Sequence, residues 1–134
     1  MKHVYLAVLA SIALLFSVAA SAAPELVNPA PIAVPAKLVE VQVVGSIKHA
    51  LKTRGWVISS ESNGKIDATL NLRKHVARIA IYHDLKEVRI EYVSSENLDY
   101  KEKDGKRHIH RNYLSWVKNL STDIDKNMEL SALN

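Results

Sequence analysis

The sequence predicts an α+β domain: an N-terminal helix, a four-stranded antiparallel meander and a C-terminal helix, with both helices on one face of the sheet. Three observations predict it. Apolar residues recur at three- and four-residue steps from Leu38 to Arg54 and again from Ile109 to Met128. Between these stretches, from Trp56 to Ser94, the apolar period drops to two. Asn63-Gly64, a dipeptide whose residues both tolerate positive φ, divides that region as the centre of a tight hairpin.

In the first helix Val43, Val44, Ile47, Ala50 and Leu51 make the buried stripe. Lys52 and Arg54 suit the negative C-terminal end, and Gly55 suits the left-handed residue that closes it. Val39, Val41 and Val43 also alternate as in a strand, so the start lies either near Leu38 or near Gly45-Ser46. In the first hairpin a two-residue loop pairs Val57 with Leu70 and Ser59 with Ala68, which sets Ile66, Ala68, Leu70 and Leu72 on one face. The apolar parity then flips to Ala77, Ile79 and Ile81, by a turn at Lys74-His75 or by a bulge; the turn is the preferred reading. A third hairpin around Leu85-Lys86 pairs Ile81 with Ile90 and Ile79 with Tyr92. Residues 94–107 read as a long polar loop. In the last helix Ile109, Tyr113, Trp116, Val117, Leu120 and Ile124 form one stripe.

Outside the domain, residues 1–22 read as a secretory signal peptide. Met1-Lys2-His3 are followed by an apolar run and by the A-x-A site Ala20-Ser21-Ala22, so cleavage is expected near Ala22. About 112 residues then remain, in the periplasm or secreted, enough for one core and no more. No transmembrane span is expected in that mature chain. All four prolines lie between Pro24 and Pro35, so residues 23–36 read as a flexible proline-rich tether. Residues 37–128 form the single domain and 129–134 a frayed tail. There is no cysteine for a disulfide, a thiolate or a lipid anchor. Charge is mildly basic, 18 Lys and Arg against 14 Asp and Glu, with the signs interleaved, and no nucleic-acid partner is expected.

The face of the sheet turned away from the helices is the candidate binding face, carrying Trp56, Arg73, Arg78, Tyr82 and Arg89. Trp56 has two readings, a platform for a sugar or peptide on that face or a residue folded into the core. Histidine supplies the other candidate chemistry. His108-Ile109-His110 with His83 could hold zinc or copper, with Asp84 or His75 completing the shell, although polar residues at element ends account for the same pattern. His110, Asn112 and Tyr113 read as the first turn of the last helix. No catalytic residue is assigned: no G-x-S-x-G elbow surrounds a serine, and Gly64 and Gly105 stand alone, so no phosphate-cradling loop forms. The expected function is a non-enzymatic accessory or binding domain whose partner is an envelope protein or an extracytoplasmic ligand. The alternative is a metal-binding protein using the histidine-rich rim.

Arg54-Gly55-Trp56, Arg73-Lys74-His75 and the run Ile109-His110-Arg111-Asn112-Tyr113-Leu114-Ser115-Trp116-Val117-Lys118-Asn119-Leu120 carry a resemblance. The chain resembles small exported proteobacterial envelope proteins that share R-G-W, R-x-H and I-H-x-N-Y-x-x-W-x-x-N-L signatures. Many of these are lipoproteins, whereas this chain lacks the cysteine to be lipidated. The resemblance spans residues 40–122. It implies an envelope location and supports the fold, and it implies no activity.

Overall fold

A computed structural model describes residues 23–134; the leader reading of residues 1–22 lies outside the described residues. The fold is α+β, with two helices and an antiparallel sheet of five strands where four were expected. In chain order the elements are β1 (Ile32–Ala33), α1 (Glu40–Thr53), β2 (Val57–Ser62), β3 (Lys65–Leu72), β4 (His75–His83), β5 (Glu87–Glu96), β6 (Lys101–Lys103), β7 (Lys106–His108) and α2 (Arg111–Ser131). The sheet runs β1-β5-β4-β3-β2, so the expected meander is present and the added strand borders β5. No helix among the described residues is long and apolar enough to cross a membrane.

The fifth strand comes from the segment read as a tether. Proline forbids helix there and leaves an extended chain, and that chain carries Leu26, Ile32 and Val34 into the core. Ile32 pairs with Val88, the Val34 amide donates to the Lys86 carbonyl, and the Leu26 amide donates to the Arg107 carbonyl. The Asn28 side-chain oxygen accepts from the Tyr92 amide at 3.1 Å and so continues the edge pairing beyond β1. Residues 23–36 are therefore an edge-covering strap and not a flexible tether.

α1 ends as its sequence implies. The Gly55 amide donates to Lys52 and the Trp56 amide to Leu51, with Gly55 at φ 81°, a paired closure that turns the residue after the glycine back onto the helix. Trp56 is consequently only 4% exposed and belongs to the core. In the β2–β3 hairpin the expected pairing holds near the turn (Ser62 with Lys65), but a bulge between Ile58 and Ser60 shifts the rest by one residue. Val57 faces Thr69 instead of Leu70 and is exposed, while Ile58 packs against the core. An extra residue reverses the parity of every residue beyond it, which places the larger Ile58 inside.

The β3–β4 turn is centred on Arg73-Lys74 and not on Lys74-His75, since Leu72 pairs with His75 and Leu70 with Ala77. Leu72 therefore lies past the core and is exposed. The β4–β5 pairing is as expected, Ile81 with Ile90 and Ile79 with Tyr92. The segment expected to be a loop continues β5 to Glu96 and then forms the β6–β7 hairpin. Tyr100 stacks on Tyr92 at 5.0 Å, Tyr113 meets Tyr92 edge-on at 5.5 Å, and Arg107 lies over the Tyr92 ring at 5.9 Å; together they pin that hairpin to the body. α2 takes in Glu129, Leu130 and Ser131, so half of the expected fray is helical.

One core cluster joins Val43, Ile47 and Leu51 of α1, Ile66, Ile79, Ile81 and Ile90 of the sheet, and Val117, Leu120, Ile124 and Met128 of α2. Arg54 forms a two-pronged bond to Asp123, with its Nε donating to Oδ2 at 2.6 Å and its Nη2 to Oδ1 at 3.2 Å, and Asn127 donates to the Ser46 carbonyl at 3.1 Å; both contacts fasten α2 to the α1 region.

Candidate functional site

Strand alternation sends Lys65, Asp67, Arg78, Tyr82, Arg89 and Glu91 to the opposite side of the sheet from the buried Ile66, Ala68, Ile79, Ile81 and Ile90. Arg89 faces Tyr82 across β4 and β5, and Lys65 faces it across β3 and β4. Both cations lie over the Tyr82 ring, Lys65 Nζ at 5.7 Å and Arg89 Cζ at 5.1 Å from its centroid. Around them run ion pairs: Arg89 to Glu91 at 2.8 Å, Arg78 to Glu96 at 3.0 Å, and Lys65 to Asp67 at 3.7 Å. Ala80 shares this face and is only 2% exposed, so the long side chains around it lie along the sheet and shield it.

Of the residues expected on this face, Arg78, Tyr82 and Arg89 share it: Arg89 lies over Tyr82, whereas Arg78 stands four residues along β4 and pairs with Glu96. Arg73 stands at the β3–β4 turn with φ 58°, at the far end of the hairpin, and Trp56 is in the core. The histidines expected to hold zinc or copper do not converge. His83 ends β4 and lines a groove of about 380 Å³ with Glu40, Asn63 and Asp84. His108 closes β7, where its Nδ1 meets the Ala23 carbonyl at 2.9 Å. His110 caps α2, accepting at Nδ1 from the Asn112 amide at 3.0 Å, as the first-turn reading requires. Among the described residues no group of three or more His, Asp or Glu side chains is placed to hold a metal ion.

His110 meets a different partner. Its ring lies 6.1 Å from that of His75, and His75 lies 6.1 Å from Trp116. All three are half-buried. The β3–β4 turn brings His75, the chain after β5 supplies Asn97, and α2 supplies the other two. Asn97, at φ 57°, accepts from His75 Nδ1 through its carbonyl at 2.6 Å and donates its side-chain amide to the Lys74 carbonyl at 2.7 Å. The His110 amide donates to the Leu98 carbonyl at 2.7 Å. Sequence reading gave Trp116 to the core and His75 to a metal shell. No local pattern in the sequence joins them, since they come from separate segments of the chain.

No protein-family model matches this chain, and neither the curated proteins nor the solved structures contain a match to it.

Proposed function

We propose that this chain is a non-enzymatic binding module that works in the cell envelope, exported by the leader at residues 1–22, and that the open face of its sheet docks another envelope protein. The reading has both helices roofing the apolar face, which leaves the opposite face to a partner. The observation that carries it is the Tyr82 ring held under Lys65 and Arg89, with Arg78 four residues along β4 on the same face, where ion pairs fix the charged side chains in place. Preorganised side chains lose little freedom on binding, and tyrosine and arginine are the residue types that anchor protein interfaces. The resemblance to small exported envelope proteins supports the same location.

The test is photo-crosslinking in cells, with a crosslinking phenylalanine analogue in place of Tyr82 or, as a control, of the exposed Asn119. A discrete adduct to one envelope protein is expected from position 82 only, and it should vanish when Arg78→Glu and Arg89→Glu are added. No adduct at position 82, or an adduct indifferent to the charge reversals, would sink the proposal.

A further inference from the structure

We infer that His75, His110 and Trp116 form a subsite for one pyranose ring of a glycan. The argument starts from the imidazole protons. A carbonyl oxygen can only accept, so the contact with the Asn97 carbonyl puts a proton on His75 Nδ1 and, in the neutral ring, leaves Nε2 bare. A backbone amide can only donate, so the contact with the Asn112 amide leaves His110 Nδ1 bare and puts the proton of the neutral ring on Nε2. Two neighbouring rings thus present opposite functions, an acceptor at His75 Nε2 and a donor at His110 Nε2.

This pairing selects among ligands. A metal ion needs a bare nitrogen, and the neutral His110 ring offers an N–H at its free position. An anion needs donors, and His75 Nε2 is an acceptor. A hydroxyl suits both rings at once, accepting from His110 and donating to His75. Beside them stands the indole of Trp116, packed against the core and half-buried, and a sugar ring combines hydroxyls at its edge with an apolar C–H face that suits the part of such an indole left exposed. The subsite lies at the start of β4 and Tyr82 near its end, roughly 23 Å of strand away, so it stands or falls independently of the docking face.

The experiment is a nuclear magnetic resonance titration of the 15N-labelled protein with the trimer of N-acetylglucosamine, with maltotriose, and with sorbitol, which has hydroxyls but no ring face. Both ring-bearing sugars are admissible ligands, and the comparison separates acetamido from plain hexose sources. At least one trisaccharide is expected to shift the Trp116 indole N–H and the amides near His75 and His110, saturating in a range of about 1 mM. Sorbitol is expected to shift none of them. His110→Asn keeps a side-chain oxygen for the helix cap but loses the Nε2 donor, and His75→Phe keeps a ring but loses the acceptor; each should weaken binding by about tenfold. Unchanged amide positions for Ile47 and Ile79 certify that the variants fold. The inference is overturned if the indole does not move at about 20 mM of either trisaccharide, if sorbitol reproduces the shifts, or if both histidine variants bind as tightly as the unaltered chain.

Discussion

Tyr113 buries a hydroxyl that finds no hydrogen-bond partner among the described residues, and burial holds its phenol above the ordinary tyrosine range. An unpaired buried hydroxyl is destabilising, so Tyr113→Phe should stabilise the fold by about 1 kcal/mol, visible as a melting temperature raised by about 4 °C. A lowered melting temperature would mean that the hydroxyl is satisfied in solution. Asp123 gives the residue-scale pH prediction. Its bond to Arg54 holds the carboxyl below the ordinary value of 3.8. A depressed carboxylate contributes stability that is present above the unfolded value and is lost as pH falls through the folded one. The melting temperatures of the unaltered protein and of Asp123→Asn should therefore differ near neutral pH and converge as the solution is acidified below 3.8. A gap that persisted at acid pH would point to packing and not charge. Much was readable residue by residue. Gly55 announced the helix closure, and the position just after such a glycine is commonly apolar and inward, which favours the core reading of Trp56. The His75–His110–Trp116 contact was not readable, because it joins three chain segments through the unusual backbone at Asn97, and nothing local in the sequence signals that approach.

At the scale of elements, glycines separate propensity from geometry. Gly45 lies inside α1 with nothing within 4 Å of where a Cβ would stand, so Gly45→Ala should stabilise by about 0.5–1 kcal/mol through the unfolded chain alone. Gly64 sits at φ 76°, and a Cβ there would come within 3.3 Å of the His83 carbonyl. Gly64→Ala should destabilise by about 1–2 kcal/mol, and urea denaturation of the two variants should show opposite shifts in midpoint. The same contrast explains which turns the sequence revealed. Asn63-Gly64 carries the preferred turn chemistry and was placed correctly, whereas Arg73-Lys74 does not. Arg73 adopts φ 58° because pairing of Ala68 with Ile79 and Ile66 with Ile81 outweighs the local preference of an arginine. The β2 bulge follows from the same hierarchy. Val57 and Ile58 are both apolar, and alternation alone cannot decide which one turns inward.

The whole-molecule consequence concerns the strap. Composition marks residues 23–36 as proline-rich, and proline is compatible both with a loose linker and with an extended edge segment; only the interspersed Leu26, Ile32 and Val34 distinguish the two, by being apolar enough to bury. The strap closes one edge of the sheet at β5, while β2 at the other edge has no strand beside it among the described residues. It also ties the first described residues to the entrance of α2, where the Ile109 amide donates to the Pro24 carbonyl. If the segment were a linker, substitutions in it would leave stability unchanged. As part of the core, Ile32→Ala should cost about 2 kcal/mol or more in urea denaturation, and Leu26→Ala a similar amount. Asn28→Ala should act differently. It removes no core volume, but it frees the Tyr92 amide from its 3.1 Å partner, so hydrogen exchange should quicken at Tyr92 while Ile79 and Ile81 at the centre of the sheet stay protected. Uniform exchange across β5, unchanged by the asparagine substitution, would show that the strap leaves this edge in solution and that the sheet is stable with four strands.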